Sequence, residues 1–224
     1  MPAPVIAIDG PSGSGKGTIA RLLRNWLGWH LLDSGALYRL VALSALEQAV
    51  ALDDAQALAA IARDLPVIFQ DEAAETRVVL AGTDVTDAIR SERCGAAASE
   101  VAAWPEVRAA LLARQRAFQA SPGLVADGRD MGTVVFPAAE LKIYLTASAE
   151  ERARRRHNQL KGKGLSVNLA QLLGDIVERD RRDQQRAVAP LKPAADAILL
   201  DTTQRDVASV EEEVRRLVRN SGLT

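Results

Sequence analysis

Between an apolar pentapeptide and an amphipathic stretch lies Gly10-Pro11-Ser12-Gly13-Ser14-Gly15-Lys16-Gly17-Thr18. Few nonapeptides restrict a fold so strongly. Val5-Ile6-Ala7-Ile8-Asp9 reads as a strand covered on both faces, which need not alternate in polarity. From Lys16 to Leu27, Ile19, Leu22, Leu23, Trp26 and Leu27 recur at helical spacing. A strand, a glycine-rich loop and a helix in this order form a phosphate cradle. Glycines let successive N–H groups curl round an anion, the helix N-terminus adds its positive end, and Lys16 adds a full charge for the β- and γ-oxygens. The general pattern G-x-x-x-x-G-K-S/T is met at Gly10, Gly15 and Lys16. Gly17 takes the hydroxyl position and Thr18 follows one residue later. The hydroxyl that approaches a nucleotide-borne Mg2+ is therefore that of Ser14 or of Thr18.

The remaining chain alternates strands and helices, which implies a parallel sheet wrapped on both faces. Five strands are expected, at 4–9, 29–33, 123–127, 141–146 and 196–201. Helices are expected over Ser34–Ala51, Asp54–Asp64 with Asp53 or Asp54 as cap, Pro105–Ala120, Asn168–Arg182 and Val207–Arg219. Ser148 opens a further helix with Glu151 three residues on, a capping box. Lys161-Gly162-Lys163-Gly164 reads as a loop. One block breaks the alternation. Pro66–Gln70 and Thr76–Leu80 flank the polar turn Asp71–Glu75 as a hairpin, and Asp84–Thr86 offers a third strand. Residues 64–100 are thus an expected insert in a core of 1–63, 101–147 and 169–224, with 148–168 as a short lid.

At about 150 residues per domain, 224 residues suit one domain with such an insert. The net charge of −1 weighs against a generic polyanion binder, so no nucleic-acid partner is expected. Five of the 28 basic residues are lysines, which leaves 23 arginines, the side chain suited to bidentate phosphate recognition. Cys94 stands alone and only His30 and His157 could join it, so neither a disulfide nor a resident metal centre is expected. No secretory leader or long apolar run is visible, and the expected compartment is the cytoplasm, with no membrane partner. Trp26, Trp29, Trp104 and Cys94 read as packing residues and His157 as a surface residue.

Ligands of such sheets bind beyond the carboxyl ends of the strands. Asp9, Asp33 and Asp127 end three of them. Asp127 in particular suits orienting water on Mg2+. Two further motifs start at that edge: Asp33-Ser34-Gly35-Ala36-Leu37-Tyr38-Arg39 and Asp127-Gly128-Arg129-Asp130-Met131-Gly132-Thr133. A guanine-reading Asn-Lys-x-Asp motif is absent, which disfavours a GTP switch.

The phosphate loop and these two motifs together resemble the bacterial cytidylate kinases. Glu178-Arg179-Asp180-Arg181-Arg182-Asp183 and Arg186-Ala187-Val188-Ala189-Pro190-Leu191 match as well, so the likeness runs from about residue 4 to 203. The G-K-G-T form of the loop is typical of nucleoside monophosphate kinases. The resemblance implies a monomeric P-loop kinase that moves the γ-phosphoryl of ATP, carried with Mg2+, to CMP or dCMP. It implies Lys16, Asp127, Arg129 and Arg179 as the catalytic set. Arg39, Arg129 and Arg179 would hold the acceptor phosphate. Ser34, Tyr38, Ser99, Arg108, Asp130 and Arg186 would line the cytosine site, and Asp183 would approach the ribose. The insert would be the monophosphate-binding subdomain. Arg154 and Arg156, with Arg152 and Arg155 beside them, would belong to the lid.

The chemistry of the base agrees. Cytosine offers an N4 donor beside N3 and O2 acceptors. Asp130 can accept from N4, and Arg108 or Arg186 can donate to N3 and O2. Uracil would set O4 against a carboxylate, and a site built for hydrogen bonds rejects such a mismatch by up to roughly 10⁴-fold.

Overall fold

The apolar runs of the sequence meet in one parallel sheet. The computed structural model describes residues 2–71, 76–162 and 164–224. In chain order the elements are β1 (Val5–Asp9), α1 (Lys16–Leu27), β2 (His30–Asp33), α2 (Ser34–Glu47), α3 (Ala55–Arg63), β3 (Val67–Asp71), β4 (Thr76–Leu80) and β5 (Thr83–Asp84). A short tight turn (Ala88–Arg90) leads into α4 (Glu92–Val101) and α5 (Pro105–Arg116). Then come β6 (Leu124–Gly128), a π-helical turn (Met131–Val135), β7 (Leu141–Thr146), α6 (Ala149–Gly162), α7 (Leu169–Gln185), β8 (Ile198–Asp201) and α8 (Val207–Asn220).

Contacts along the chain separate two units, Met1–Asp33 with Arg116–Thr224, and Ser34–Gln115. The second unit is wider than the expected 64–100 insert, because α2, α3, α4 and most of α5 fall within it.

The first unit carries the five-stranded sheet in the order β2-β6-β1-β7-β8, with every pairing parallel. One face is covered by α1 and α8. Ile19, Ala20 and Leu23 with Val210, Val214 and Val218 pack on Ile6, Ile8, Val125, Ile143 and Leu145. The register sets Asp127 opposite both Asp33 and Ile8, and Asp9 opposite Gly128. The carboxylates that end β1, β2 and β6 thus share one sheet edge.

In the second unit, β3, β4 and β5 form an antiparallel sheet. Its third strand sits one residue earlier than expected. Val85 and Thr86 still serve it, since Val85 N–H donates to Val78 O and the Thr86 hydroxyl accepts from Val78 N–H, both at 2.9 Å. Residues 72–75 of the expected turn lie outside the described residues.

Several helix ends differ from the sequence reading for local reasons. α2 stops at Glu47 rather than Ala51, because Ala49 turns left-handed (φ 53°) and Val50 N–H closes back on Ala45 O at 2.8 Å. α5 stops at Arg116, whose guanidinium donates to the carbonyls of Val134 and Val135. Lys161 and Gly162 are the last turn of α6, not loop. The capping box at Ser148 is half formed. Its hydroxyl accepts Glu151 N–H at 3.2 Å, but the Glu151 carboxylate binds Arg154 and Arg155 instead. α4 went unread, since its Ala- and Gly-rich sequence shows little apolar periodicity; Ser91 caps it by accepting Cys94 N–H.

Candidate active site

The phosphate loop leaves β1 through Gly10, where no side chain fits. A Cβ there would stand 1.9 Å from the carbonyl oxygen of Leu145. Gly15 then takes φ 97° and starts α1. Side chains hold the loop's carbonyls. Lys16 Nζ donates to Pro11 O at 2.7 Å, and the Ser14 hydroxyl to the same oxygen at 3.1 Å. Arg152 Nη1 donates to Ser12 O at 3.0 Å, and the Thr202 hydroxyl to Ser14 O at 3.1 Å. Peptides anchored by their oxygens present their N–H groups on the opposite side, which is the side an anion needs.

Ser14 is fully buried and its hydroxyl is held by Pro11, whereas Thr18 is half-buried on the first turn of α1. The substitution of Gly17 for the usual hydroxyl residue has a steric reason. A Cβ at Gly17 would lie 3.2 Å from Asp127 Oδ2. The glycine lets the β6 carboxylate approach the start of α1.

Burial and charge shape this cluster. Burial first and Arg129 second lower the Lys16 ammonium to about 7, against the pull of Asp127 and Asp9. Burial raises Asp127 to about 7, opposed by Lys16 and reinforced by Asp33. Burial likewise raises Asp9 to about 6, opposed by N–H bonds from Gly132 and Met131.

Arg129 points to Asp183 rather than to its neighbour Asp130. Its Nε donates to Asp183 Oδ2 at 3.2 Å, and its Nη1 to Gly128 O at 3.1 Å. Burial opposes the charge on Arg129, but Asp183 and Asp127 outweigh it and hold the guanidinium protonated. Burial also opposes the charge on Asp183, yet Arg129, Arg186 and Arg179 keep that carboxyl below its ordinary range. Arg179 and Asp183 are one turn apart on α7, and Arg186 follows at its end, with Nε donating to Asp183 O at 3.3 Å. Asp130 is buried at the start of the π turn. The first unit thus brings Lys16, Asp127, Arg129, Asp183 and the phosphate loop into one electrostatic group.

The second unit holds the other candidates. Ser34 and Tyr38 lie one turn apart on the buried side of α2. Arg39 donates to Ile89 O at 2.7 Å, and its guanidinium lies 3.2 Å from where a Cβ at Gly95 would be. A larger residue at 95 would displace it. Arg108 stacks on the Tyr38 ring at 5.4 Å and donates to Ala102 O. The Ser99 hydroxyl is buried on α4 with no hydrogen-bond partner among the described residues. A buried hydroxyl left so is costly unless a ligand completes it.

Of the arginines on α6, Arg152 is buried and Arg155 donates to the Thr202 hydroxyl. Arg154 pairs with Glu151 and Arg156 donates to Gln159 on the surface. Sequence reasoning missed Asp9, Thr202 and the Arg152–Asp180 pair as parts of the site. A run of four arginines gives no signal for which one turns inward. Asp9 did give one, as a carboxylate ending an otherwise apolar strand. Among the described residues no helix is long and apolar enough to cross a membrane.

Comparison with known proteins gives the family. The family model described as cytidylate kinase matches residues 6–220. A cytidylate kinase of Pseudomonas aeruginosa is 60% identical over 221 residues, covering 98% of this chain and 96% of the relative. One from Aeromonas hydrophila is 60% identical over 208 residues, covering 93% and 90%. The crystal structure of TT1252 from Thermus thermophilus shares the fold, with a TM-score of 0.50, 22% identity and 98% of each chain covered. The chain belongs to the cytidylate kinase family.

Proposed function

We propose that the protein transfers the γ-phosphoryl group of ATP to the phosphate of CMP or dCMP. The observation that carries this reading is the β6 edge. Asp127, Arg129 and Asp130 follow one another there, and β6 pairs with the strand that delivers the phosphate loop. The relatives' name points the same way.

ATP enters as its Mg2+ complex. Among the described residues no three His, Cys, Asp or Glu side chains converge on a point. Asp127 and the loop hydroxyls fit an ion that brings its phosphate ligands with it. Asp127 would orient water around that ion, and Thr18 would be the hydroxyl that approaches it, since Ser14 is fully buried while Thr18 is half-buried on the first turn of α1. The loop N–H groups and Lys16 neutralise the β- and γ-phosphates. The acceptor phosphate needs no base, since it is ionised at neutral pH. One of its oxygens attacks the γ-phosphorus, the bond to the β–γ bridging oxygen breaks, and ADP leaves. Such transfer asks for positioning and charge neutralisation above all.

On the acceptor side, Arg39, Arg129 and Arg179 hold the phosphate, and Asp183 meets the ribose. Asp130 takes the N4 donor of cytosine, while Arg108 and Arg186 donate to N3 and O2. Ser34, Tyr38 and Ser99 complete the base contacts. Arg154 and Arg156 close over the transferring group from the lid. A coupled assay with ATP and a panel of CMP, dCMP, UMP and AMP tests the reading. CMP and dCMP are expected to dominate, and equal or better turnover of UMP or AMP refutes it.

A further inference from the structure

Asp9 is the last residue of β1, only 5% exposed, and lies outside the residues that the phosphate-loop pattern names. Its carboxylate is spent on two peptides 122 and 123 residues away. Met131 N–H donates to Oδ1 and Gly132 N–H to Oδ2, each at 2.8 Å. These are the first N–H groups of the π turn, the ones that a helical turn leaves without internal acceptors. Asp130 occupies the capping position of that turn, yet its own side chain makes no cap bond. The capping carboxylate comes from β1 instead.

We propose that Asp9 is a positioning residue for base selection, fixing the peptide that carries Asp130 through its paired bonds to Met131 and Gly132. The inference rests on the reading that Asp130 meets the cytosine N4 group. Charge-assisted bonds to both oxygens set position and rotation of the 131–132 peptide together, which one bond would not do. The other side of the turn is equally tight. A Cβ at Gly132 would meet Lys142 Cγ and Cδ at 3.2 and 3.1 Å, and Asp9 Oδ2 at 3.4 Å. Lys142 cannot swing clear, because its Nζ is held by Pro137 O at 2.7 Å and by Asp196. The π turn is therefore gripped between a carboxylate and an anchored methylene chain.

Two variants loosen that grip from opposite sides. Asp9→Asn replaces one acceptor by an NH2 group facing an N–H. Gly132→Ala inserts a methyl group against Lys142. Both should narrow the ratio of kcat/KM for CMP over UMP by about tenfold or more. In Gly132→Ala, which leaves the charges around Lys16 unaltered, binding of a non-hydrolysable ATP analogue should stay within about threefold, well under the 1.4 kcal/mol that a tenfold change represents. A merely structural role would instead lower CMP and UMP turnover in parallel and leave the ratio intact, and that result overturns the proposal. If Asp9→Asn does not fold, Gly132→Ala decides alone by the same ratio. Asp130→Ala runs beside them. An unchanged ratio in that variant refutes the base-reading role of Asp130. A ratio narrowed by Asp130→Ala but not by the other two refutes the positioning role of Asp9 alone.

Discussion

Buried Arg152 and partly buried Asp180 form an ion pair whose guanidinium also holds a carbonyl of the phosphate loop. Arg152 on α6 donates to both oxygens of Asp180 on α7 and to the carbonyls of Ser12 and Ala147. Its Cβ lies 3.1 Å from the point a Cβ at Gly13 would occupy. An arginine committed on every side is a strut, not a mobile finger. Removing one partner of a buried pair strands the other charge, at about 3–5 kcal/mol, and the partial exposure of Asp180 brings the cost toward the lower end. Arg152→Ala is expected to lose stability on that order in urea titrations and to weaken ATP binding. The double variant Arg152→Met with Asp180→Leu should regain part of the stability but not the ATP affinity, because Ser12 O stays unheld. Recovery of both would show that the pair acts only through stability.

Lys16 gives a prediction in protons. Its ammonium is lowered to about 7 in the free protein, so at pH 8 it is mostly neutral. A polyphosphate beside it favours the charged form. Nucleotide binding at pH 8 should therefore take up a proton, seen as calorimetric enthalpies that vary with the ionisation enthalpy of the buffer. Lys16→Arg, always charged, should abolish that dependence. The linkage to stability has a fixed sign. Between about 7 and the ordinary value of 10.5 the unfolded chain holds this proton and the folded one does not. Ligand-free stability from Lys16 thus rises with pH across that window. Lys16→Met should remove that rise.

Which of these features the sequence could disclose depended on how local their cause is. The phosphate loop, the five strands and the Asp54 cap arise from neighbours in the chain, and all could be read from spacing. The partner of Arg129 could not. Asp130 is adjacent in sequence, but the guanidinium crosses to Asp183, 54 residues on. The same holds for Asp9 with Met131 and Gly132, and for Thr202 with Ser14. Each joins segments far apart in the chain that only the folded unit brings together. The helix α4 stayed hidden for another reason: its buried face is built from Ala, Gly, Cys and Ser, whose small side chains leave no hydrophobic stripe.

Gly17 separates this loop from the commoner form with a hydroxyl residue after the lysine. The 3.2 Å between its implied Cβ and Asp127 Oδ2 means that a side chain must push the carboxylate back by a few tenths of an ångström. Gly17→Ser is expected to fold, since its backbone is helical and Ser is a better helix former than Gly by a few tenths of a kcal/mol. Its activity should fall, with the loss concentrated in kcat and partly restored by raising Mg2+. Full activity at limiting Mg2+ would show that the Asp127 approach is dispensable.

Arg129 acts on Lys16 and is the proposed holder of the acceptor phosphate, and one variant can test both. Its guanidinium is fixed by Asp183 and Gly128 O, and its positive charge is among the causes that lower Lys16. If Arg129 holds the acceptor phosphate as proposed, Arg129→Ala removes a charge-assisted contact worth about 1.5–3 kcal/mol, and CMP affinity should fall by roughly ten- to a hundredfold. ATP affinity should fall far less. The same substitution relieves the repulsion on Lys16, which then keeps more of its proton in the free protein at pH 8. The proton uptake on nucleotide binding should shrink accordingly. Arg179→Ala should weaken CMP binding likewise but disturb Lys16 less, because its influence there ranks below that of Arg129. Titration calorimetry of both variants with CMP and with an ATP analogue reads all four quantities. Unchanged CMP affinity in both would remove these arginines from the acceptor phosphate, and unchanged proton uptake in Arg129→Ala would uncouple Arg129 from Lys16.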